Sequence, residues 1–196
     1  MQERKADISR VTGETNVHIA IDLDGIGKAD IHTGIGFFDH MLNSFARHGL
    51  FDLTVDVKGD LEVDSHHTIE DTGIVLGQAI RQAVGDKKGI RRFGDCMLPM
   101  DETLMLCALD LSGRPYLKFY MPLTVPKVGD FDTEMVHEFF YAVSYGAEMN
   151  LHLKMLDGEN NHHIIEAAFK AFAKALDKAV QYDDRIQEVL STKGSL

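Results

Sequence analysis

The chain has 196 residues, 44% of them apolar, and a formal charge of -11 at pH 7. This length and apolar content argue against disorder and allow one compact unit or two fused small ones. The acidic balance argues against nonspecific binding to nucleic acid or anionic membranes, since those surfaces attract Lys and Arg, although it leaves room for a local basic pocket. The first residues, Met1 to Ala6, are charged and lack an apolar leader, and no run approaches 18 apolar residues. Cys96 and Cys107 are the two cysteines, too few for a disulfide scaffold, so the expectation is a soluble cytoplasmic protein with reduced thiols.

In chain order, Val17 to Leu23 alternates and is β-branched, Asp24-Gly25 reads as a turn, and Ala29 to Thr33 follows, which predicts a hairpin. Phe37, Met41, Leu42, Phe45 and Leu50 recur at helical spacing, with Gly49 as the stop. Phe51 to Val57 alternates strictly, as a strand with one wet face. A long amphipathic helix carries Ile69, Gly73, Leu76, Ile80 and Val84. The sequence then runs through the same succession again. Leu104 to Leu111, a turn at Ser112 to Pro115 and Tyr116 to Tyr120 predict a second hairpin. Met135, Phe139, Val143 and Ala147 mark a helix, Leu151 to Met155 a strand, and Ile165, Phe169, Phe172, Leu176 and Val180 a final helix. Each half reads strand, strand, helix, strand, helix, an α+β arrangement with helices packed on one face of a mixed sheet. Gly73, Gly77, Ala79, Ala173 and Ala175 predict close helix packing.

The succession repeats in its chemistry too. His66-His67-Thr68-Ile69-Glu70 and His162-His163-Ile164-Ile165-Glu166 are one His-His-x-x-Glu pattern written twice, 96 positions apart. His40 precedes the first copy and His137 the second at nearly equal distances. Glu14, Asp22 and Gly25 correspond to Glu102, Asp110 and Gly113 at a constant offset of 88. The difference in offsets places extra residues in the second half, within Met121 to Asp132. An internal duplication follows, with structural halves near 1-91 and 92-196 forming one functional unit.

Residues four apart share a helix face, so His66 with Glu70, and His162 with Glu166, each offer an imidazole and a carboxylate to one ion. His67 and His163 project about 100° away and point to a different ion. With His40 and His137 the candidate ligands are His40, His66, His67, Glu70, His137, His162, His163 and Glu166, shared between two ions. Nitrogen and oxygen donors without thiolate favour Mn(II) or Fe(II) over a structural zinc, with Mn(II) the first choice. Asp39 and Asp64 either orient an imidazole or cap helices. His18, His32, His48 and His152 have no repeated partner and receive no role.

The segments Gly36 to Leu42, Asp64 to Asp71 and Asn161 to Glu166, with the tail Ser191 to Gly194, resemble the imidazoleglycerol-phosphate dehydratase family, in its monofunctional form. The resemblance implies a fold of two ribosomal-protein-S5-domain-2-like halves. It implies a lyase of histidine biosynthesis that dehydrates imidazole glycerol phosphate to imidazole acetol phosphate, with two Mn(II) ions per active site and a metal-bound imidazolate. It further implies a homo-oligomer of 24 subunits with metal sites between subunits, and a small phosphorylated imidazole as partner. Carried onto this sequence, Glu14 occupies the catalytic glutamate position at the start of the first strand. Arg92, Arg114, Lys170, Ser191 and Lys193 match phosphate and substrate positions. Glu70 and Glu166 either share proton transfer or are consumed by ligation, and Glu102 is a relic or a structural residue. Two other classes compete: a binuclear metallohydrolase, which lacks an Asp-rich bridging pattern, and a metal-nucleated assembly or storage protein, which gives Glu14, Arg92, Arg114 and Lys193 nothing to do.

Overall fold

In the computed structural model, which describes residues 3-196, two four-stranded mixed sheets enclose a layer of helices. The first half contributes β1 (Lys5–Val11), β2 (Thr15–Asp22), β3 (Ala29–His32), α1 (Gly36–Gly49), β4 (Asp52–Gly59) and α2 (His66–Val84). The second contributes β5 (Phe93–Met100), β6 (Thr103–Asp110), β7 (Tyr116–Tyr120), the ribbon β8 (Lys127–Val128) and β9 (Phe131–Asp132), then α3 (Met135–Gly146), β10 (Asn150–Asp157) and α4 (Asn161–Val180). The sheet orders β1-β2-β4-β3 and β5-β6-β10-β7 are equivalent, and the ribbon lies where the sequence offset puts the extra residues.

The strand pairing corrects the sequence reading twice. The two predicted hairpins do not form: β4 lies between β2 and β3, antiparallel to one and parallel to the other, and β10 does the same between β6 and β7. The cause is local. The Asp52 carboxylate accepts from the amides of Ile26 and Lys28 at 2.8 and 2.9 Å, and the Leu53 amide donates to the Lys28 carbonyl. These bonds tie the supposed turn to the start of β4, so the chain leaves β2 and returns one strand away. Asn150 repeats the device by donating to the Arg114 carbonyl. The true hairpins are β1–β2 and β5–β6, so each half opens with a strand that the sequence reading lacked. Both are edge strands: β1 carries Lys5, Asp7 and Arg10, while β5 contains Gly94 and Pro99, and an edge tolerates such residues because one side needs no ladder partner.

Each long helix covers the inner face of its own sheet and packs against the other half's shorter helix, α2 on α3 and α4 on α1. Gly77 sets the first approach, since a Cβ there would stand 2.5 Å from the Val143 carbonyl. The buried alanines of α4 serve a different neighbour, because the Ala175 carbonyl abuts Gly94 of β5 rather than a helix. Between the layers, Phe139 stacks on Phe169 at 5.0 Å and Phe45 on Phe172 at 5.4 Å, joining both halves in one core. Each such buried ring is worth about 1.5–3 kcal/mol.

The ribbon also fixes a helix end. Its tip residue Asp130 accepts from the Gly36 and Phe37 amides at 2.7 and 3.1 Å, capping α1, which carries His40. Ser65, at the start of α2, donates to Asp132 of the same ribbon.

Candidate functional site

The His-His-x-x-Glu segments open α2 and α4. Asp64 accepts from the His66 amide at 2.8 Å, and Asn160 from the His162 and His163 amides at 2.9 and 3.4 Å, so free amides at both helix starts are satisfied. Asp39 instead accepts from the Thr33 amide and hydroxyl ahead of α1.

Three candidate ligands converge. His162 Nε2 lies 3.1 Å and His40 Nε2 3.5 Å from Glu166 Oε2, and one donor atom from each residue falls within 4.8 Å of the others. The helix pair α1 and α4 brings them together across the duplication. Phe37 packs edge-on against both imidazoles and forms an apolar side wall. Glu166 is buried; burial pushes its carboxyl up, but Lys170 at 2.7 Å, with His40 and His162, outweighs this and holds it below the usual range. Two imidazole nitrogens and an ionised carboxylate oxygen, with no thiolate among them, form a donor set that fits a borderline divalent cation. For His48, unassigned from sequence, burial lowers the pKa first, then Lys170, with Glu166 opposing.

The corresponding set in α2 and α3 is more open. His66 Nε2 stands 3.8 Å from Glu70 Oε2. His137 turns its Nδ1 to Glu138 at 2.9 Å, stacks on Tyr141 and meets Phe119 edge-on, and it does not close with His66 and Glu70 as tightly as the first cluster does.

His67 and His163 point away from these clusters, toward the hairpin turns. His67 Nδ1 bonds Asp60 at 3.0 Å, with Glu14 Oε2 3.8 Å from Nε2; His163 Nδ1 bonds Glu102 at 2.9 Å. The hydrogen bond that His67 makes to Asp60 raises its pKa, with desolvation opposing, and the bond to Glu102 does the same for His163. Glu102 in turn falls to about 2, held first by His163 and then by the Asn160 amide. Glu14 lies in the β1–β2 turn, not at the start of the first strand, because the unread strand β1 precedes it.

Arg92, Arg114, Ser191 and Lys193 line one cavity of about 640 Å³ beneath the C-terminal tail. Lys170 is not among its lining residues, nor is any of the eight candidate ligands. Arg92 is already engaged, with Nε and Nη2 on Asp110 at 2.6 and 2.9 Å and Nη1 on the Leu190 carbonyl, so it straps the tail to β6. Asp60, Asp130 and Asn160 went unread in the sequence; each acts on a partner seven or fewer positions away, or across the fold, without a repeated motif.

The family model for imidazoleglycerol-phosphate dehydratase matches residues 33–176. The chain belongs to that family. An imidazoleglycerol-phosphate dehydratase of Lachnoclostridium phytofermentans is 67% identical over 193 residues, covering 98% of each chain, and one of Acetivibrio thermocellus is 62% identical over 99% of this chain and all of that one. Among solved structures, imidazoleglycerol-phosphate dehydratase from Staphylococcus aureus superposes with a TM-score of 0.83 at 42% identity, covering 91% of this chain and 99% of that one. The enzyme from Pyrococcus furiosus gives 0.84 at 36% identity, covering 96% and 100%. The molecule is therefore a hydro-lyase of histidine biosynthesis. Among the described residues, no helix is long and apolar enough to cross a membrane.

Proposed function

We propose that this chain dehydrates imidazole glycerol phosphate to imidazole acetol phosphate with two Mn(II) ions held by its repeated histidines and glutamates. The observation that carries the reading is the convergence of His40, His162 and Glu166, donors of the right type drawn from both halves of the duplication. His66, Glu70 and His137 would supply the related set, and His67 and His163 the outward donors. When bound, Mn(II) would supply Lewis acidity toward the imidazole ring of the substrate.

The chain's own residues supply the rest. Glu14, exposed in its turn beside His67, is the base that moves the carbon-bound proton. Glu70 and Glu166 act as ligands, Glu166 with its charge balanced by Lys170. Arg114, Ser191 and Lys193 receive the phosphate, with Arg92 shaping the pocket. The anion cavity and the histidine cluster share no lining residue within one chain, which favours a homo-oligomer whose active sites form between subunits, 24 in number by family resemblance. The acidic surface suits a cytoplasmic enzyme that binds neither nucleic acid nor membrane.

Glu14→Gln tests the assignment. The expected variant keeps its Mn(II) content and assembly but loses turnover by about 10²–10⁴-fold. Full turnover in a variant with metal and assembly intact would remove Glu14 from the mechanism.

A further inference from the structure

The two outward histidines are held alike, but by carboxylates from different places. In the first half, Asp60, just past β4, takes Nδ1 of His67 at 3.0 Å, and the turn residue Glu14 lies on the Nε2 side at 3.8 Å. In the second half the turn residue itself, Glu102, takes Nδ1 of His163 at 2.9 Å, and Asp101 lies on the Nε2 side at 3.7 Å. The reason for the exchange lies in β10. Its register shifts between Met155 and Asp157, so Asp157, opposite Leu104, matches Lys58, opposite Asn16, and the position of Asp60 falls at Glu159, whose backbone amide donates to Glu102. Glu102 fills the gap. Its other oxygen accepts from the Glu159 and Asn160 amides at 3.3 and 2.8 Å, which ties this carboxylate to the entry of α4.

We infer that Asp60 and Glu102 are matched positioning residues. Each accepts the Nδ1–H of its histidine, fixes the tautomer that leaves the Nε2 lone pair free, and aims that nitrogen outward as a donor. Glu102 has thereby left the proton-transfer role that its repeat counterpart Glu14 keeps. Of the two turn glutamates, the one beside the shifted end of β10 is the structural one. The tautomer assignment stands by itself, while its consequence for metal rests on the dimanganese reading above.

The test has two readouts. In metal-free protein, ¹⁵N NMR of the imidazole rings is expected to find His67 and His163 in the Nδ1–H tautomer, and Glu102→Gln to convert His163 alone to a mixture. Equilibrium Mn(II) titration by EPR is expected to give about 10–100-fold weaker binding at one site in Glu102→Gln, and no change beyond about twofold in Glu14→Gln. Asp60→Asn repeats both readouts on His67, and it decides the matter if Glu102→Gln fails to fold. The inference is overturned if the wild-type rings are Nε2–H or mixed, or if the variants leave tautomer and affinity unchanged. It is also overturned if Glu14→Gln weakens Mn(II) as much as Glu102→Gln does. Normal tautomers with no Mn(II) binding in any form would instead sink the dimanganese reading and leave the tautomer assignment in place.

Discussion

Glu166 is the residue on which the candidate centre turns, because it is buried, ionised and within 3.5 Å of two imidazoles and a lysine. Replacing it with Gln keeps the shape and removes the charge. Mn(II) affinity is expected to fall by more than about tenfold, since even outer contacts to a metal ligand are worth about 10–100-fold, and Lys170 is left beside a neutral amide. An EPR titration with free Mn(II) measures this; unchanged affinity would mean that Glu166 only balances Lys170. The candidate pairs His66 with Glu70 and His162 with Glu166 were legible in the sequence because their geometry is local: an i,i+4 pair lies on one face of any helix. The partners Asp60 and Glu102 were not, because their roles follow from where a turn and a strand end come to rest beside a helix, and no short motif encodes that.

At the scale of elements, two ends are open to test. Leu50 closes α1 in the left-handed region at φ 60°, and its side chain is half exposed, so the strain has little packing to offset it. Leu50→Gly is expected to raise stability by up to about 1 kcal/mol in denaturant unfolding; a loss of stability would show that the side chain contributes more than it costs. Asp130 caps the start of α1. Burial pushes its carboxyl up, but the Phe37 and Gly36 amides outweigh this and set it below the ordinary carboxylate value. A depressed folded-state pKa means that the stabilisation is complete above the unfolded value, about 3.9, and is lost as pH falls through the folded one. Asp130→Ala should therefore cost about 1 kcal/mol near pH 7 and progressively less below pH 4, as read from thermal melts across that range. The helices and inner strands were predicted from periodicity, which is a property of each segment. Pairing order was not, because the bonds from Asp52 and Asn150 that route each chain past its neighbour join residues 24 to 36 positions apart.

The whole molecule has two halves of equivalent sheet order whose candidate donors meet: His40 of the first half lies beside His162 and Glu166 of the second, and the shared helix layer makes that meeting possible. The repeat in the sequence foretold the equivalent sheets, but it could not foretell that Arg92, Arg114, Ser191 and Lys193 gather under the tail while Lys170 pairs with Glu166, since that separation depends on how the last 16 residues fold back. Within this frame, metal and turnover must rise and fall together. The most direct measurement is conversion of imidazole glycerol phosphate to imidazole acetol phosphate by protein stripped with chelator and then titrated with Mn(II). The account predicts no product from the stripped protein, and activity that recovers in step with bound metal and saturates near two ions per active site. Full turnover without metal, or none from the loaded and assembled protein, would contradict it.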